Sequence, residues 1–353
     1  MARRLLWASL ALAPVTLLLD VVAHPSKVVL FVLSAVSLVP LAWLIGEATE
    51  HAGRHTGARI GGLLNASFGN APELIIALIA IADRLPDVVR GSLAGSVVSN
   101  ILLVLGAALV LGPDNVPLDR RSLTVQLLLV IAAVLALLAP SIPGFHGDPN
   151  RHSLALIGIV PCVVLLIVYL IVTTVGVRGG ERPADDDEGE AGTWRLRTAV
   201  VALSVATVVT ALVSELLVHS LEDFARAAHL SEFFIAIVIV AIVGNAAEHG
   251  GAVVIARRGK MKLASEIAIS SSAQVGLFVA PVVALLSFAF AHPLALAFRP
   301  IELAAMGGAA AGVAFVVRDG RAHRWEGALL IAVYAGLVVA FGLAGDRAVN
   351  HTP

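Results

Sequence analysis

Long apolar runs, parted only by short charged segments, constrain this chain more than any other feature. A run of about 18 or more apolar residues is long enough to cross a bilayer as a helix. Eleven such runs can be drawn, at about 5–22, 27–46, 59–82, 88–112, 122–140, 153–176, 197–219, 231–256, 263–290, 297–317 and 325–345. Gly and Pro inside them are no obstacle, because neighbouring helices satisfy the backbone groups that they free. Composition agrees: 58% of residues are hydrophobic and 14% charged, with a mean hydropathy of +0.93, whereas a soluble domain is about a quarter charged. The expected fold class is an all-α polytopic membrane protein.

The distribution of Lys and Arg sets an orientation. An odd number of spans puts the two ends on opposite sides. With the N-terminus in the cytoplasm, 17 of the 24 basic residues lie on that side. The remaining seven are Lys27, Arg84, Arg90, Arg151, Arg226, Arg299 and Arg347. The opening Met1-Ala2-Arg3-Arg4 and its apolar run resemble a signal peptide, but no small-residue cleavage site follows, so an uncleaved first helix is expected. The largest hydrophilic stretch, Arg178 to Thr193, carries Glu181, Asp185, Asp186, Asp187, Glu188 and Glu190. It reads as a solvated cytoplasmic linker.

Aligning the two sides of that linker exposes a repeat. Gly69-Asn70-Ala71-Pro72-Glu73 matches Gly244-Asn245-Ala246-Ala247-Glu248 at an offset of 175 positions, and the same offset carries Ser96 onto Ser271 and Ser99 onto Gln274. Residues 1–26 then form an extra N-terminal helix, 27–177 a first repeat, 178–195 the acidic linker and 196–353 a second repeat. Five spans per repeat force the halves into opposite orientations. Inverted repeats of this kind place the substrate near the bilayer midplane, where the halves meet.

Glu73 and Glu248 lie inside apolar spans. A carboxylate at the bilayer centre costs about 2.5–3.5 kcal/mol on insertion scales and marks a functional site by default. Two acids at equivalent places imply one shared partner, and a cation fits. Pro72 removes a backbone N–H, and Gly69 and Gly244 weaken the helices at matching points; broken helices at this depth expose carbonyls to cations. Asn70 and Asn245 stand three residues before each acid, on roughly the same helical face. Ser96, Ser99 and Asn100, and in the second repeat Ser271 and Gln274, share faces of the following helices. This all-oxygen set suits a hard cation, Ca2+ better than Mg2+. Two carboxylates neutralise one divalent ion; once it leaves, two buried like charges must take up protons or monovalent cations. That makes an exchanger. His249, beside Glu248, either tunes proton sensitivity or packs.

At these residues the sequence resembles the cation/proton exchanger branch, the calcium/proton antiporters, of the calcium:cation antiporter superfamily. The resemblance rests on the run from Gly61 to Ile75, with Asn65-Ala66-Ser67-Phe68-Gly69-Asn70-Ala71-Pro72-Glu73 at its centre, and on Gly244-Asn245-Ala246-Ala247-Glu248-His249. It covers the chain from about residue 27 onward. It implies Ca2+ export driven by inward proton movement, with Glu73 and Glu248 alternately holding Ca2+ and protons. Carbonyls around Asn70 and Asn245 assist, and Ser99 and Gln274 line the passage. Two departures stand out: Ser270, where the pattern has Gly, and Glu266, in a place usually less acidic.

Other readings are a sodium/calcium exchanger, against which stands Gly-Asn-Ala before each Glu rather than a Gly-Thr-Ser pattern; an exchanger of Mn2+ or another divalent ion; and a passive cation channel. No HExxH zinc motif, GxSG nucleophile or Walker A loop occurs in the sequence, so neither an enzyme nor a nucleotide-driven pump is expected. The expected partners are Ca2+ and H+ as substrates and membrane lipid; a homo-oligomer stays open. No cofactor and, at a net charge of −1, no nucleic acid is expected. The single cysteine, Cys162, excludes an intramolecular disulfide. Abundant Ala, Arg, Gly and Val with compact loops point to a prokaryotic cell membrane.

Overall fold

The computed structural model describes residues 2–178 and 194–347, so the acidic stretch 181–190 lies outside it. The described chain is helical. Among the described residues nine helical stretches are long and apolar enough to cross a membrane, and one bent pair joins them. Leu128 and Leu135 on α7 (Arg120–Gly144), and Val160, Val164 and Ile171 on α8 (His152–Arg178), lie exposed on the outside. In water such a surface would aggregate; against lipid it is the solvated face of a multi-pass membrane protein.

The first expected span is two helices, α1 (Ala2–Ser9) and α2 (Leu12–Ala23). The second and third differ more from expectation. A single helical stretch, α3, runs Lys27–Phe68, but it doubles back on itself. An ideal helix separates residues eight apart by about 12 Å. Here a Cβ on Gly61 would lie 2.9 Å from the Gly53 carbonyl oxygen, so the chain reverses tightly between two glycines that leave room for the approach.

The expected span 59–82 is then broken where the Gly-Asn-Ala signature places the break. α3 ends at Phe68, and α4 runs Ala71–Ala82. The second repeat does the same. The helical segment 232–244, made of α10 (Glu232–Phe234), a π-helical stretch and α11 (Ala241–Gly244), meets α12 (Ala246–Arg257) at a bend of 58°. Pro72 does not kink a continuing helix. It falls in the first turn of α4, where the missing N–H would have had no intrahelical acceptor.

The next helices also correspond. α5 (Pro86–Val98) passes through a π-helical stretch, Ser99–Val104, into α6 (Leu105–Leu111). α13 (Met261–Gln274) passes through Val275–Val279 into α14 (Ala280–Leu286). At an offset of 175 the two π stretches overlap, one starting at Ser99 and the other directly after Gln274. α5 packs against the 235–244 segment with almost no clearance: a Cβ on Gly95 would lie 1.9 Å from the Ile237 carbonyl oxygen, and one on Gly91 3.1 Å from Ala236 Cβ.

α9 (Leu196–Ala228), α15 (Pro300–Val316) and α16 (Arg324–Ala344) complete the bundle around one large core. On one face, β1 (Val116–Pro117) pairs antiparallel with β2 (Arg321–Ala322), tying a connection of the first repeat to one of the second. On the opposite face the chain between α14 and α15 is extended yet buried, with Leu294 to Phe298 each at most 3% exposed. Side chains satisfy its backbone: Arg90 Nη1 donates to Ala295 O (2.9 Å), Arg347 Nη2 to Ala297 O (3.0 Å), and Phe298 N donates to Ser141 Oγ (3.1 Å). Non-helical backbone survives at such depth only when protein surrounds it.

Candidate cation-binding site

The site lies where the two broken helices approach each other. Asn70 and Asn245 occupy the breaks with nearly the same backbone, φ −98° and ψ 18° against φ −94° and ψ 9°. This bridge region is sparsely populated and recurs at functional residues. Each Asn is the N-cap of the half-helix that follows, yet neither caps it with its side chain. Both side chains are thereby left to reach across the molecule.

Glu73 and Glu248 are each the third residue of their half-helix, inside the first turn. The free N–H groups and the positive end of the helix dipole favour a carboxylate there. Glu73 is buried, and its carboxyl carbon lies 3.6 Å from where a Cβ on Gly244 would stand. The acid of the first half thus touches the break of the second. The two carboxylates are close enough to repel each other. Among the described residues, Glu73 Oε2 is buried without a hydrogen-bond partner.

Around them the neutral polar groups form cross-repeat pairs. Asn70 Nδ2 donates to Gln274 Oε1 (2.9 Å), and Asn245 Nδ2 to Ser96 Oγ (2.7 Å). Asn100 Nδ2 donates to Ser271 Oγ (2.9 Å) and Asn245 Oδ1 (3.2 Å), and Ser271 Oγ donates to Glu248 Oε2. His249 Nε2 lies 2.9 Å from Asn100 Oδ1. Both amide hydrogens of Asn100 are committed, so its oxygen accepts and His249 carries a proton on Nε2. Donors therefore run in one direction, from His249 through Asn100 and Ser271 to Glu248. Ser99 is buried and donates to Ser96 O (3.3 Å).

The structure thus gathers Asn70, Glu73, Asn245, Glu248, Ser96, Asn100, Ser271, His249 and Gln274 at the two breaks, with Gly69 and Gly244 at the breaks themselves and Pro72 in the first turn of α4. Other acids in the spans or near their ends lie elsewhere. Glu302 sits in the first turn of α15 and accepts from Arg299 N (2.5 Å) in a capping box. Glu50 pairs with Arg54 and Glu222 with Arg226, and Glu215 is exposed. Ser272, buried, donates to Val97 O (3.0 Å) across the repeats. Its only sequence signal was its place in the Ser270-Ser271-Ser272 run.

Comparison with known proteins settles the family. The sodium/calcium exchanger protein family matches twice, at residues 26–177 and 198–343. The chain belongs to this family. Among exchangers similar to it, the Ca(2+)/H(+) antiporter ChaA of Bacillus subtilis (strain 168) is 38% identical over 331 residues, covering 91% of this chain and 93% of that one. The Ca(2+)/H(+) antiporter of Synechocystis sp. is 35% identical over 341 residues, covering 88% and 90%. The solved structure of native YfkE superposes with a TM-score of 0.83 at 33% identity, covering 96% of this chain and 99% of that one. The double match agrees with a fold built from two repeats.

Proposed function

We propose that this chain is a Ca2+/H+ antiporter, working by alternating access, in which Glu73 and Glu248 form one site that holds either Ca2+ or protons. The observation that carries this is the seating of Glu73 against Gly244, the break of the other half. It brings two acids from opposite repeats to one place among neutral oxygen donors. The curated relatives named as Ca(2+)/H(+) antiporters support the choice of ions.

The mechanism follows from charge. A divalent cation neutralises both carboxylates, and Asn, Ser and Gln oxygens replace part of its water shell. Without the ion, two close acids in a poorly hydrated place cannot both stay charged, so protons take its place before the site turns to the other face. Ser271 holds Glu248 through its hydroxyl, and the oxygens of Asn70, Asn245 and Ser96 help to strip the ion. Ser99 and Gln274 line its way. The basic face carrying β1 and β2 is the cytoplasmic one, with the N-terminus inside and the C-terminus outside a prokaryotic cell membrane, and Ca2+ moves outward.

The test is Ca2+ uptake into inside-out vesicles with an acid lumen. Wild type is expected to take up Ca2+ while the lumen alkalinises, and Glu73→Gln and Glu248→Gln, which keep shape but not charge, are expected to abolish both signals. Uptake that follows a Na+ gradient and ignores pH would assign the chain to sodium coupling. Uptake of Mn2+ but not Ca2+ would keep the site and change the substrate.

A further inference from the structure

The face that carries β1 and β2 is assembled from three connections, one from the first repeat and two from the second. Asn115 N donates to Ala322 O (2.7 Å), and Leu118 N to Gly320 O (2.8 Å). Arg321 Nη1 reaches Asn115 Oδ1 (2.6 Å), and the Arg324 side chain reaches Gly112 O (3.3 Å). The third connection, between α12 and α13, closes against the same Gly112: a Cβ there would lie 3.0 Å from Met261 Sδ and 3.4 Å from Ala256 O. The three loops make one plate.

That plate is strongly basic. Arg120 and Arg121 begin α7, and Arg257, Lys260 and Lys262 flank the turn between α12 and α13; all five are exposed. Among the described residues none of these five forms a salt bridge. Arg54, by contrast, is paired with Glu50 at 2.5 Å. Beside the plate stand two outward-facing rings, Trp325, 65% exposed, and Phe315, 63% exposed, with the Arg318 guanidinium 4.0 Å over the latter. Exposed aromatic rings at helix ends mark the headgroup level of a membrane.

We propose that this plate docks the phosphate headgroups of anionic phospholipids in the leaflet on its own side. Guanidinium and ammonium groups bind phosphate oxygens through charge-assisted hydrogen bonds, and basic clusters beside a membrane attract anionic lipid. A rule of orientation needs only a count of basic residues on one side. It does not need three loops from both repeats fixed together with their charges left unpaired. The position gives the contact a consequence. α12 and α13 meet at the plate and carry Glu248 and Ser271, so headgroups held there anchor the turn about which the pair moves, and transport runs faster with them.

The test compares the intact protein with the quadruple variant Arg120→Gln, Arg121→Gln, Lys260→Gln, Lys262→Gln. Lipid retained after purification is measured by native mass spectrometry, with phosphatidylglycerol and phosphatidylcholine offered in equal amounts. Ca2+ flux is measured in vesicles of phosphatidylcholine with and without phosphatidylglycerol. Wild type is expected to retain phosphatidylglycerol selectively and to run faster with it. Each surface charge contributes roughly fivefold to attraction, so the variant is expected to lose selectivity by about tenfold or more and to lose the stimulation, while its rate in phosphatidylcholine stays unchanged. Equal retention by both proteins overturns the proposal. So does equal stimulation of both, which would mean that anionic lipid only concentrates Ca2+ at the membrane. A third result overturns it as well: if deleting residues 181–190, rather than changing the lipid, exposes Lys260 and Lys262 to an amine reagent, the plate binds the chain's own acidic stretch.

Discussion

Asn100 has no polar counterpart in the second repeat, where the matching position is Val275, and His249 has none in the first, where it is Leu74. The two acids therefore have different surroundings although they are duplicated. Glu248 receives the hydroxyl of Ser271, which Asn100 and His249 in turn orient, whereas Glu73 Oε2 has no hydrogen-bond partner among the described residues. Asn100→Ala leaves Asn245 Oδ1 and His249 Nε2 without a partner. A buried group left unsatisfied costs about 1–3 kcal/mol, so initial Ca2+ flux is expected to fall about tenfold or more. Asn100→Asp is expected to be worse, because it turns both amide donors into acceptors facing an acceptor and adds a charge near Glu248. Flux measured at matched protein levels decides; an aspartate variant as active as the alanine one would remove the amide's donors from the argument. Glu73, Glu248 and the two Asn were legible in the sequence because a duplicated residue at a fixed offset stands out. The link between His249 and Asn100 was not, since it joins unrelated positions of the two repeats, and neither was Ser272, whose partner is a backbone carbonyl.

The helix breaks were written in Gly-Asn-Ala, but not in the proline. The second repeat breaks at the same point with Ala247 where the first has Pro72. Pro72→Ala is therefore expected to change stability by no more than about 1 kcal/mol and to leave transport intact. The seam between α5 and the 235–244 segment is the opposite case. At 1.9 Å from a backbone oxygen a methyl group cannot be absorbed by a side-chain shift, and overpacking costs about 1–3 kcal/mol or more. Gly95→Ala is expected to lower the unfolding temperature well below that of Gly91→Ala, whose nearest neighbour is a methyl at 3.1 Å. Cys162, the only cysteine and buried, supplies the readout: a thiol-reactive dye added during heating reports unfolding without any engineered label. Equal midpoints for the two variants would mean that the seam gives way easily. Hydropathy placed most of the helices, yet it ended the second span near residue 46 because Glu47, Glu50, His51 and Arg54 follow. The helix continues past them, since Glu47 and Glu50 lie one turn from His51 and Arg54 and pair with them along the helix. The reversal at Gly53 and Gly61 depends on backbone approach, which hydropathy does not report.

Across the whole molecule the two faces are closed by different devices. On the face of β1 and β2, the positions matching Gly91 and Gly95 are Glu266 and Ser270, so the close glycine packing of the opposite face cannot be reproduced there. The opposite face has, besides that seam, a buried lock. Arg90, 1% exposed, holds Asp87 Oδ1 (2.7 Å), Asn150 Oδ1 (3.0 Å) and Ala295 O (2.9 Å), joining α5 of the first repeat to the buried extended strap of the second. For the site to open on this side, α5 and the strap must part, and this network must break. Arg90→Met removes the partner while keeping most of the volume; because the Asp87 side chain is 39% exposed and solvent takes up part of its charge, the cost is expected to fall below the roughly 3–5 kcal/mol of a fully buried pair. Arg90→Lys keeps the charge, but a single ammonium cannot serve three acceptors as the guanidinium fork does. With Cys162→Ala as background, a Ser92→Cys probe two residues from Arg90 is buried and is expected to resist a membrane-impermeant thiol reagent. It is expected to react readily with Arg90→Met present and at an intermediate rate with Arg90→Lys. A fall in unfolding temperature with no change in labelling would reduce Arg90 to a packing residue. Faster labelling at an unchanged unfolding temperature would assign it to the gate, because a merely structural role does not alter access to one face of a folded protein.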